Sequence, residues 1–461
     1  MPFPPEPRDN MGEPAARIDA RLKVTGQAKY AADFALAGSA YAVLVTSARG
    51  AASSRSTLPA RAVDGMLEIF SYNNCAGKLQ RPELFGGNGL AATTILPLDS
   101  NKIWHDGQIV AMVVADTFEA AQEAAYKVKV SYRGEEPASV FDAKGAEICT
   151  VATIKPDHVD IAIGDEAAAL LAADVKIDAE YETPAQHHNP IELFATSCVW
   201  EGSKLTIYEP SQTVGGLQHG VAEQLGIDPS SVRVISPYVG GAFGCKAAVT
   251  SRTAPVALAA RAVGRPVKLV AGRDQEFTLS TYRAETRHRV QLGASRDGKL
   301  QALWHEAYEL TSRADDYFVA GTETTARIYH APNIHTKVSV VRADRGTPGF
   351  MRSPLEVPYM FALESAMDEL AVALAMDPVE LRRVNDTMRE PINGLAYSSR
   401  SLMVCFDAAA QAFDWAKRDP MPGSMREGDW LIGLGCAASC HPALMAPAAA
   451  RVYLGSDGRA R

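Results

Sequence analysis

The sequence lacks several features that would assign it to a class at once. It contains no run of about 18 apolar residues, so it predicts no membrane-spanning helix. No stretch is rich in Lys and Arg, and the formal net charge is −8. This argues against a nucleic acid partner, because phosphate backbones are bound by clustered positive charge. Residues 1–20 hold no apolar segment, and we expect no secretory signal there.

Cysteine is scarce as well. The seven cysteines have no regular spacing and no C-x2-C pair occurs. This pattern predicts reduced thiols and lacks the usual signature of a zinc or iron–sulfur site. The nearest ligand cluster is Cys436, Cys440 and His441. It can be interpreted as a metal site or as small residues near a strand–loop junction, and we favour the second interpretation.

The length predicts several domains. A chain of 461 residues exceeds one ordinary core, and roughly two to four domains are expected. We divide it into an extended proline-rich segment at 1–18, a mixed α/β domain at 19–135, a second domain at 155–395 and the start of an incomplete third unit at 420–461. The fold class is therefore mixed α/β or α+β.

Local patterns predict individual elements. Alternation in ATSCVWEGSKLTIYEP (195–210) predicts a hairpin that turns at Glu201 and Gly202. TFEAAQEAAYK predicts a helix capped by Thr117, and DPVELRRVND predicts one capped by Asp377. DWLIGLGCAAS and ARVYLGSDGR are predicted as strands of the third unit.

A long helix is predicted from near Pro358, in FALESAMDELAVALAM. The pattern is interpreted as an apolar stripe that carries Phe361, Met367, Leu370 and Leu374 near one face.

The first candidate site is VGGAFGCK (239–246). Its glycines permit positive φ and let backbone amides approach an anion, and a following helix would add its positive N-terminus. A Walker loop does not fit, because Cys245 precedes Lys246 and Ala247 follows it. An anion site and a ligand-free turn both remain open, and a generic nucleotide-binding module is a third possibility.

Other candidates are weak by themselves. Adjacent His187 and His188 would alternate faces on a strand, which favours hydrogen-bonded, partly buried histidines over chelation of one ion. Glu364 and Asp368 lie four apart on the predicted long helix, where a solvated face is favoured over an acid–base pair.

Together these segments resemble the molybdenum hydroxylases of the xanthine dehydrogenase/aldehyde oxidase family. The resemblance is to the large, molybdopterin-binding subunit. It is carried by KVTGQAKYAADF (23–34), DGQIVAMVVADTFEAAQEAAYKVKVSY (106–132), QHHNPIELFATSCVWEGSKLTIYEPSQ (186–212), VGGAFGCK and MRSPLEVPYMFALESAMDELAVALAMDPVELRRVN (351–385). It implies an N-terminal hammerhead α/β domain followed by the first half of the molybdopterin-binding region.

The resemblance also implies a site. Gly240, Gly241, Ala242, Phe243 and Gly244 would pack against the cofactor. Gln212 and Arg352 match the family's glutamine near a molybdenum oxygen and its arginine near the substrate, so Gln212, Phe243 and Arg352 would form the molybdenum environment. The family motif usually has glycine where this chain has Ala242 and Cys245. The implied cofactor is molybdopterin with molybdenum, in the cytosine dinucleotide form.

The implied reaction is oxidation of an aldehyde to a carboxylic acid with water as the oxygen source. Purine-oxidising members often carry a glutamate where this chain has Ala247, and 351–358 lacks the cysteine of the carbon monoxide dehydrogenase branch. Electrons would pass to a small [2Fe-2S] subunit and an FAD subunit as partners. We expect a cytoplasmic location, or a periplasmic one if a partner carries an export signal.

One departure from the family matters. Its general base is a glutamate in a Gly-x-Gly-Glu motif near the C-terminus, and this chain has none, since the GLG at 433–435 is followed by Cys436. We therefore expect a C-terminally truncated member. Two hypotheses follow: a catalytic subunit completed by a missing half, or a non-catalytic fragment.

Overall fold

A computed structural model describes residues 16–57, 63–85, 89–134, 136–441 and 447–460. Its helices are α1 Ala20–Val24, α2 Tyr72–Cys75, α3 Phe118–Lys127, α4 Val151–Ile154, α5 Glu166–Ala172, α6 Val214–Leu225, α7 Thr253–Val263, α8 Arg273–Leu279, α9 Thr322–Ile328, α10 Glu356–Ala373, α11 Pro378–Val384 and α12 Leu402–Ala412. Its strands are β1 Ala40–Thr46, β2 Ala52–Thr57, β3 Met66–Ser71, β4 Lys102–Ile103, β5 Ile109–Ala115, β6 Lys129–Gly134, β7 Glu147–Thr150, β8 Ala162–Ile163, β9 Val175–Thr183, β10 Ala195–Glu201, β11 Lys204–Tyr208, β12 Val232–Ile235, β13 Val267–Val270, β14 Thr286–Ala294, β15 Leu300–Ser312, β16 Asn333–Ala343, β17 Arg426–Glu427 and β18 Trp430–Leu431.

The largest sheet joins the N-terminal part of the chain to the part that follows. Its strand order is β12-β11-β10-β13-β1-β5-β3, and β1 pairs in parallel with β13, with Ala40 opposite Val267. The predicted ranges 19–135 and 155–395 thus contribute strands to one sheet. Buried side chains of α6 and α7, such as Val221 and Val256, belong to the same core cluster as Leu269 of β13.

A second sheet supports the long helix α10. Its order is β7-β16-β15-β14-β9, with β8 also paired to β16. Met367 and Leu370 of α10 are buried in one cluster with Leu303 of β15. Phe361 is 49% exposed, so the predicted stripe is wrong at that position. Met367 follows Phe361 by six residues, and the helix rotates by about 100° per residue, so the two side chains differ in direction by a net angle of about 240°. Phe361 therefore points away from the face that carries Met367.

The other local predictions are largely confirmed. Strands β10 and β11 form the hairpin, but Glu201 pairs with Lys204, so the turn residues are Gly202 and Ser203. Thr117 accepts a hydrogen bond from the Ala120 amide, and Asp377 accepts one from the Val379 amide. These caps follow from rules that act within one helical turn.

The predicted strands of the third unit are mostly wrong. DWLIGLGCAAS forms a strand only at Trp430–Leu431, paired with Arg426–Glu427. ARVYLGSDGR takes part only in an isolated bridge between Leu454 and Ala460. Alternating residues need a neighbouring strand to form a ladder, and within the described ranges these segments have no other partner. Among the residues described, no helix is long and apolar enough to cross a bilayer.

Candidate functional site

The topology brings two of the predicted segments to one edge of the largest sheet. Strands β11 and β12 are parallel neighbours that end together, with Tyr208 opposite Ile235. The loop after β11 carries Gln212, and the loop after β12 carries 239–246. Loops that leave the carboxyl ends of neighbouring parallel strands form the usual ligand-binding edge of such sheets.

Gln212 is tied to the glycine-rich loop through its own amide group. Its Oε1 accepts hydrogen bonds from the backbone amides of Gly244 (3.1 Å) and Lys246 (3.3 Å). The Gln212 backbone amide donates to the Lys246 carbonyl at 2.8 Å. Because backbone N–H groups require an acceptor, the oxygen must face the loop. The exposed Gln212 NH2 group makes no hydrogen bond within the described part of the chain and is a free donor.

Phe243 is held in an unusual backbone conformation. Its φ is +59°, between Gly241 at +99° and Gly244 at +124°. A Cβ on Gly244 would collide with the Phe350 carbonyl. Left-handed φ is uncommon for an aromatic residue, and here it leaves the ring 39% exposed at the surface.

Arg352 lies on the loop between β16 and α10, and its side chain extends to the Phe243 ring. Its guanidinium carbon lies 4.2 Å from the centroid of the Phe243 ring, and its backbone amide donates to the Phe243 carbonyl at 3.1 Å. The structure thus brings Gln212, Phe243 and Arg352 together from three separate segments.

The remaining loop residues face inward. Ala242 is buried, and its carbonyl accepts a hydrogen bond from the Cys245 thiol at 2.9 Å. Gly240 donates its amide to Glu192 Oε2 at 2.7 Å. The methyl group of Ala242 therefore points into the protein and leaves the outer face of the loop open.

Lys246 anchors the glycine-rich loop on its buried side. Its Nζ donates to both the backbone carbonyl and Oε2 of Glu192 at 3.0 Å, and its side chain is fully buried. Burial lowers the pKa of Lys246, and the Glu192 carboxylate opposes that shift. A lysine held in this way does not reach a phosphate on the open face.

The predicted helix N-terminus is not part of this site. Helix α7 begins at Thr253, several residues beyond the loop. The hydroxyl of its first residue donates to the buried Glu209 carboxylate at 2.9 Å, which also pairs with Arg252 at 2.7 Å. The negative charge beside the positive end of the helix is therefore supplied by Glu209, within the protein.

The two adjacent histidines have different surroundings. His188 is buried, and its Nε2 donates to the Phe350 carbonyl at 2.6 Å. Burial lowers the pKa of His188. The His187 ring stacks on Tyr282, with centroids 5.5 Å apart. The prediction of a hydrogen-bonded, buried histidine is confirmed for His188.

The helix carboxylates differ from expectation. Glu364 is buried and accepts from Tyr329 Oη (2.7 Å), Arg382 Nε (2.8 Å) and the Ala438 amide (2.7 Å). The prediction that Glu364 lies on a solvated face of the helix is therefore wrong, because α11 packs there and places Arg382 against the Glu364 carboxylate. Asp368 is half-exposed and lies 2.9 Å from the same arginine.

Two members of the cysteine–histidine cluster have other partners in the structure. His441 Nδ1 lies 2.7 Å from Glu356 Oε1, and the Cys440 thiol donates to the Thr324 carbonyl at 3.8 Å. Over the residues described, no group of three His, Cys, Asp or Glu side chains is arranged to hold a metal ion.

Sequence reasoning missed two residues that shape the site. Glu192 anchors the glycine-rich loop, and Arg283 binds the loop that carries Arg352. Each acts on residues about 50 to 70 positions away, and no local pattern marks such contacts.

We call the exposed side chains of Gln212, Phe243 and Arg352 the wall of the site. The donors of this wall fit an oxygen-rich, negatively charged group. The NH2 group of Gln212 and the guanidinium of Arg352 are donors, and both belong to exposed residues beside the Phe243 ring. Charge-assisted donors of this kind bind oxyanions well.

Comparisons with known proteins bear on the family of the chain. The protein-family model of the molybdopterin cofactor-binding domain matches residues 151–386. The family model of the aldehyde oxidase and xanthine dehydrogenase a/b hammerhead domain matches residues 25–136. The chain is 37% identical over 459 residues to the aldehyde oxidoreductase molybdenum-binding subunit PaoC of Escherichia coli strain K12, covering 97% of this chain and 60% of that protein. It is 29% identical over 483 residues to the xanthine dehydrogenase molybdenum-binding subunit of Escherichia coli O157:H7, covering 96% and 61%.

A solved structure shows the same fold. The aldehyde oxidoreductase from Desulfovibrio gigas superposes with a TM-score of 0.74 at 24% identity, covering 87% of this chain and 46% of that one. The chain thus spans about 60% of the length of the curated relatives it matches. The two domain models and these relatives together show that the chain belongs to the molybdopterin-binding large subunits of the xanthine dehydrogenase/aldehyde oxidase family.

Proposed function

We propose that this chain binds molybdenum–molybdopterin against the wall formed by Gln212, Phe243 and Arg352. It would act there as the metal-binding subunit of an aldehyde-oxidising hydroxylase. The observation that carries the proposal is the convergence of Gln212 and Arg352 on the exposed ring of Phe243. It occurs within the range matched by the molybdopterin cofactor-binding domain.

Each residue has a distinct role in the proposal. The Gln212 NH2 group would be the donor toward the bound cofactor, because the Gln212 Oε1 is fixed on the loop amides. The Arg352 guanidinium stabilises negative charge that develops on the substrate oxygen. Gly241 and Gly244, with their positive φ, give the loop the conformation that presents Phe243, and Gly240 and Ala242 are proposed to pack against the cofactor beside them. When bound, the cofactor, in its proposed cytosine dinucleotide form, supplies oxidative hydroxylation with water as the oxygen source.

The proposed substrate class is aldehydes. The relatives include a protein named as an aldehyde oxidoreductase and one named as a xanthine dehydrogenase, so family membership leaves the substrate open. Ala247 supports the aldehyde proposal, because a methyl group offers no carboxylate to hydrogen-bond a purine ring.

The proposed partners are a small [2Fe-2S] subunit and an FAD subunit, which would carry the electrons away. The proposed compartment is the cytoplasm, or the periplasm where a partner carries the export signal. Co-purification of the tagged chain with its genomic neighbours tests the partners, and cell fractionation tests the compartment.

A second candidate is a non-catalytic fragment that folds its hammerhead domain and binds partner subunits. It is favoured by one observation, the absence of Gly-x-Gly-Glu from these 461 residues. These residues then hold no counterpart of the glutamate that serves as the family's general base.

One experiment separates the two. The chain is produced with its proposed partner subunits in a host that makes molybdopterin, and the metal content per chain and dye-linked aldehyde oxidation are measured. Stoichiometric molybdenum with turnover supports the hydroxylase and rules out the inert chain. Folded protein without molybdenum contradicts the proposed site on this chain.

A further inference from the structure

The loop that presents Arg352 has a backbone conformation that needs external support. Arg352 has a φ of +23° and Ser353 a φ of +51°. Side chains with a Cβ rarely adopt such angles, and they persist only where the surroundings fix them. Two of the fixed points are the hydrogen bond from the Arg352 amide to the Phe243 carbonyl and the hydrogen bond from His188 to the Phe350 carbonyl.

The strongest support comes from Arg283, which lies between α8 and β14. Its Nη2 donates to the carbonyls of Met351 and Arg352, each at 2.6 Å. Its Nη1 donates to the carbonyls of Ser353 (3.1 Å) and Pro354 (2.8 Å). One side chain thus holds four consecutive carbonyl groups.

Arg283 has no donor left for another task. Its Nε donates to Gln186 Oε1 at 2.9 Å, so all five N–H groups of the guanidinium are used. The residue is 5% exposed and forms no ion pair with any described residue. A buried cation that gives its Nη1 and Nη2 donors to one loop and its Nε donor to Gln186 acts on the shape of the backbone and has no donor left for a ligand.

We infer that Arg283 is the positioning residue of this site: by holding the carbonyls of 351–354 it fixes the positive φ of Arg352 and Ser353 and so keeps the Arg352 guanidinium over the Phe243 ring. The inference rests on the proposed function for the role of Arg352 at the site. The effect of Arg283 on the backbone of 351–354 can be tested on the chain alone.

Arg283→Lys is the informative variant. Lysine keeps the charge but has three donors on one nitrogen, so it cannot span four carbonyls and Gln186. Arg289→Lys is the matched control, because Arg289 is half-exposed on nearby β14 and pairs with Asp178 at the surface. If R283K does not fold, Gln186→Ala replaces it, since it removes only the acceptor of Nε.

The first measurement is amide hydrogen exchange of the purified full chain, followed by mass spectrometry. In R283K we expect the Arg352 amide, which is bonded to Phe243, to exchange at least about tenfold faster, with α10 and the β10–β11 hairpin unchanged. Q186A should show a smaller acceleration at the same residues. Parental exchange at 351–353, or acceleration spread over the whole chain, overturns the inference.

The second measurement uses the complex assembled with its partner subunits. We expect R283K to retain molybdenum and lose about 10- to 100-fold in kcat, with KM within about threefold of the parent. R289K should match the parent. A parent without molybdenum defeats the proposed function, while the exchange result still decides the role of Arg283. Full kcat in R283K beside an active parent overturns the role of Arg283 and leaves the proposed function standing.

Discussion

The Lys246 ammonium lies 3.0 Å from the Glu192 carboxylate, and the glycine-rich loop depends on this buried pair. Glu192→Gln would leave the lysine charge buried without a counter-ion, which costs about 3 kcal/mol or more. We expect a lower midpoint in urea unfolding. Asp178→Asn, which breaks the surface pair with Arg289, should cost at most about 1 kcal/mol. Equal effects of the two variants would show that the Glu192 pair has no special role.

Gln212→Glu separates the two faces of one side chain. The glutamate keeps an oxygen for the amides of Gly244 and Lys246, so thermal stability should stay near that of the parent. The outward donor is replaced by an acceptor, and we expect aldehyde turnover of the assembled complex to fall by about 10²-fold or more. Parental turnover in this variant would exclude a donor role for Gln212.

The contact between Arg352 and Phe243 can be measured without any cofactor. A double-mutant cycle with Phe243→Ala and Arg352→Ala on the chain alone should give a coupling of about 0.5–1 kcal/mol in the free energy of unfolding, as for an exposed cation–π pair. Additive effects of the two substitutions would mean that the guanidinium does not rest on the ring in solution.

Ala247→Glu tests the proposed substrate class. A carboxylate at this position would offer an acceptor for the N–H groups of a purine. We expect the ratio of kcat/KM for purine over aldehyde to rise by about tenfold or more in the assembled complex. If the parent complex already prefers purines, the aldehyde proposal is wrong.

Two buried histidines predict loss of stability in acid. His288 Nδ1 lies 3.0 Å from His305 Nε2, and burial lowers the pKa of His288 to about 3 and that of His305 well below its usual value. In the unfolded chain both titrate near 6.5, so below that pH the unfolded state binds more protons than the folded state. The two histidines therefore leave the free energy of unfolding undiminished above about pH 6.5. As the pH drops below that value, the free energy of unfolding falls by up to about 1.4 kcal/mol per pH unit for each histidine.

Urea unfolding between about pH 7.5 and pH 5 measures this slope. His288→Gln should reduce it, whereas His219→Gln, at an exposed position, should not. A slope unchanged by H288Q would show that other groups set the acid limit.

Much of the local structure could be predicted from the sequence. The hairpin at 195–210, the Asp377 cap and the Thr117 cap follow from rules that act over a few residues. The order of motifs was sufficient to indicate the family, and Gln212, Phe243 and Arg352 do lie together. Their roles toward a cofactor remain predictions. The solvated position predicted for Glu364 failed because of a distant neighbour, Arg382 from the next helix, whereas the Phe361 position failed on the geometry of a single helix.

The sequence by itself determined the hairpin, the helix caps, the glycine-rich loop and the residues proposed to meet a cofactor, because these are encoded by local pattern and motif. Only the tertiary structure decided that Lys246 faces inward to Glu192, that the positive end of α7 meets Glu209, and that Arg283 holds 351–354. The reason is physical: a buried charge takes its partner from whatever the packed chain places beside it, and sequence separation does not limit that choice.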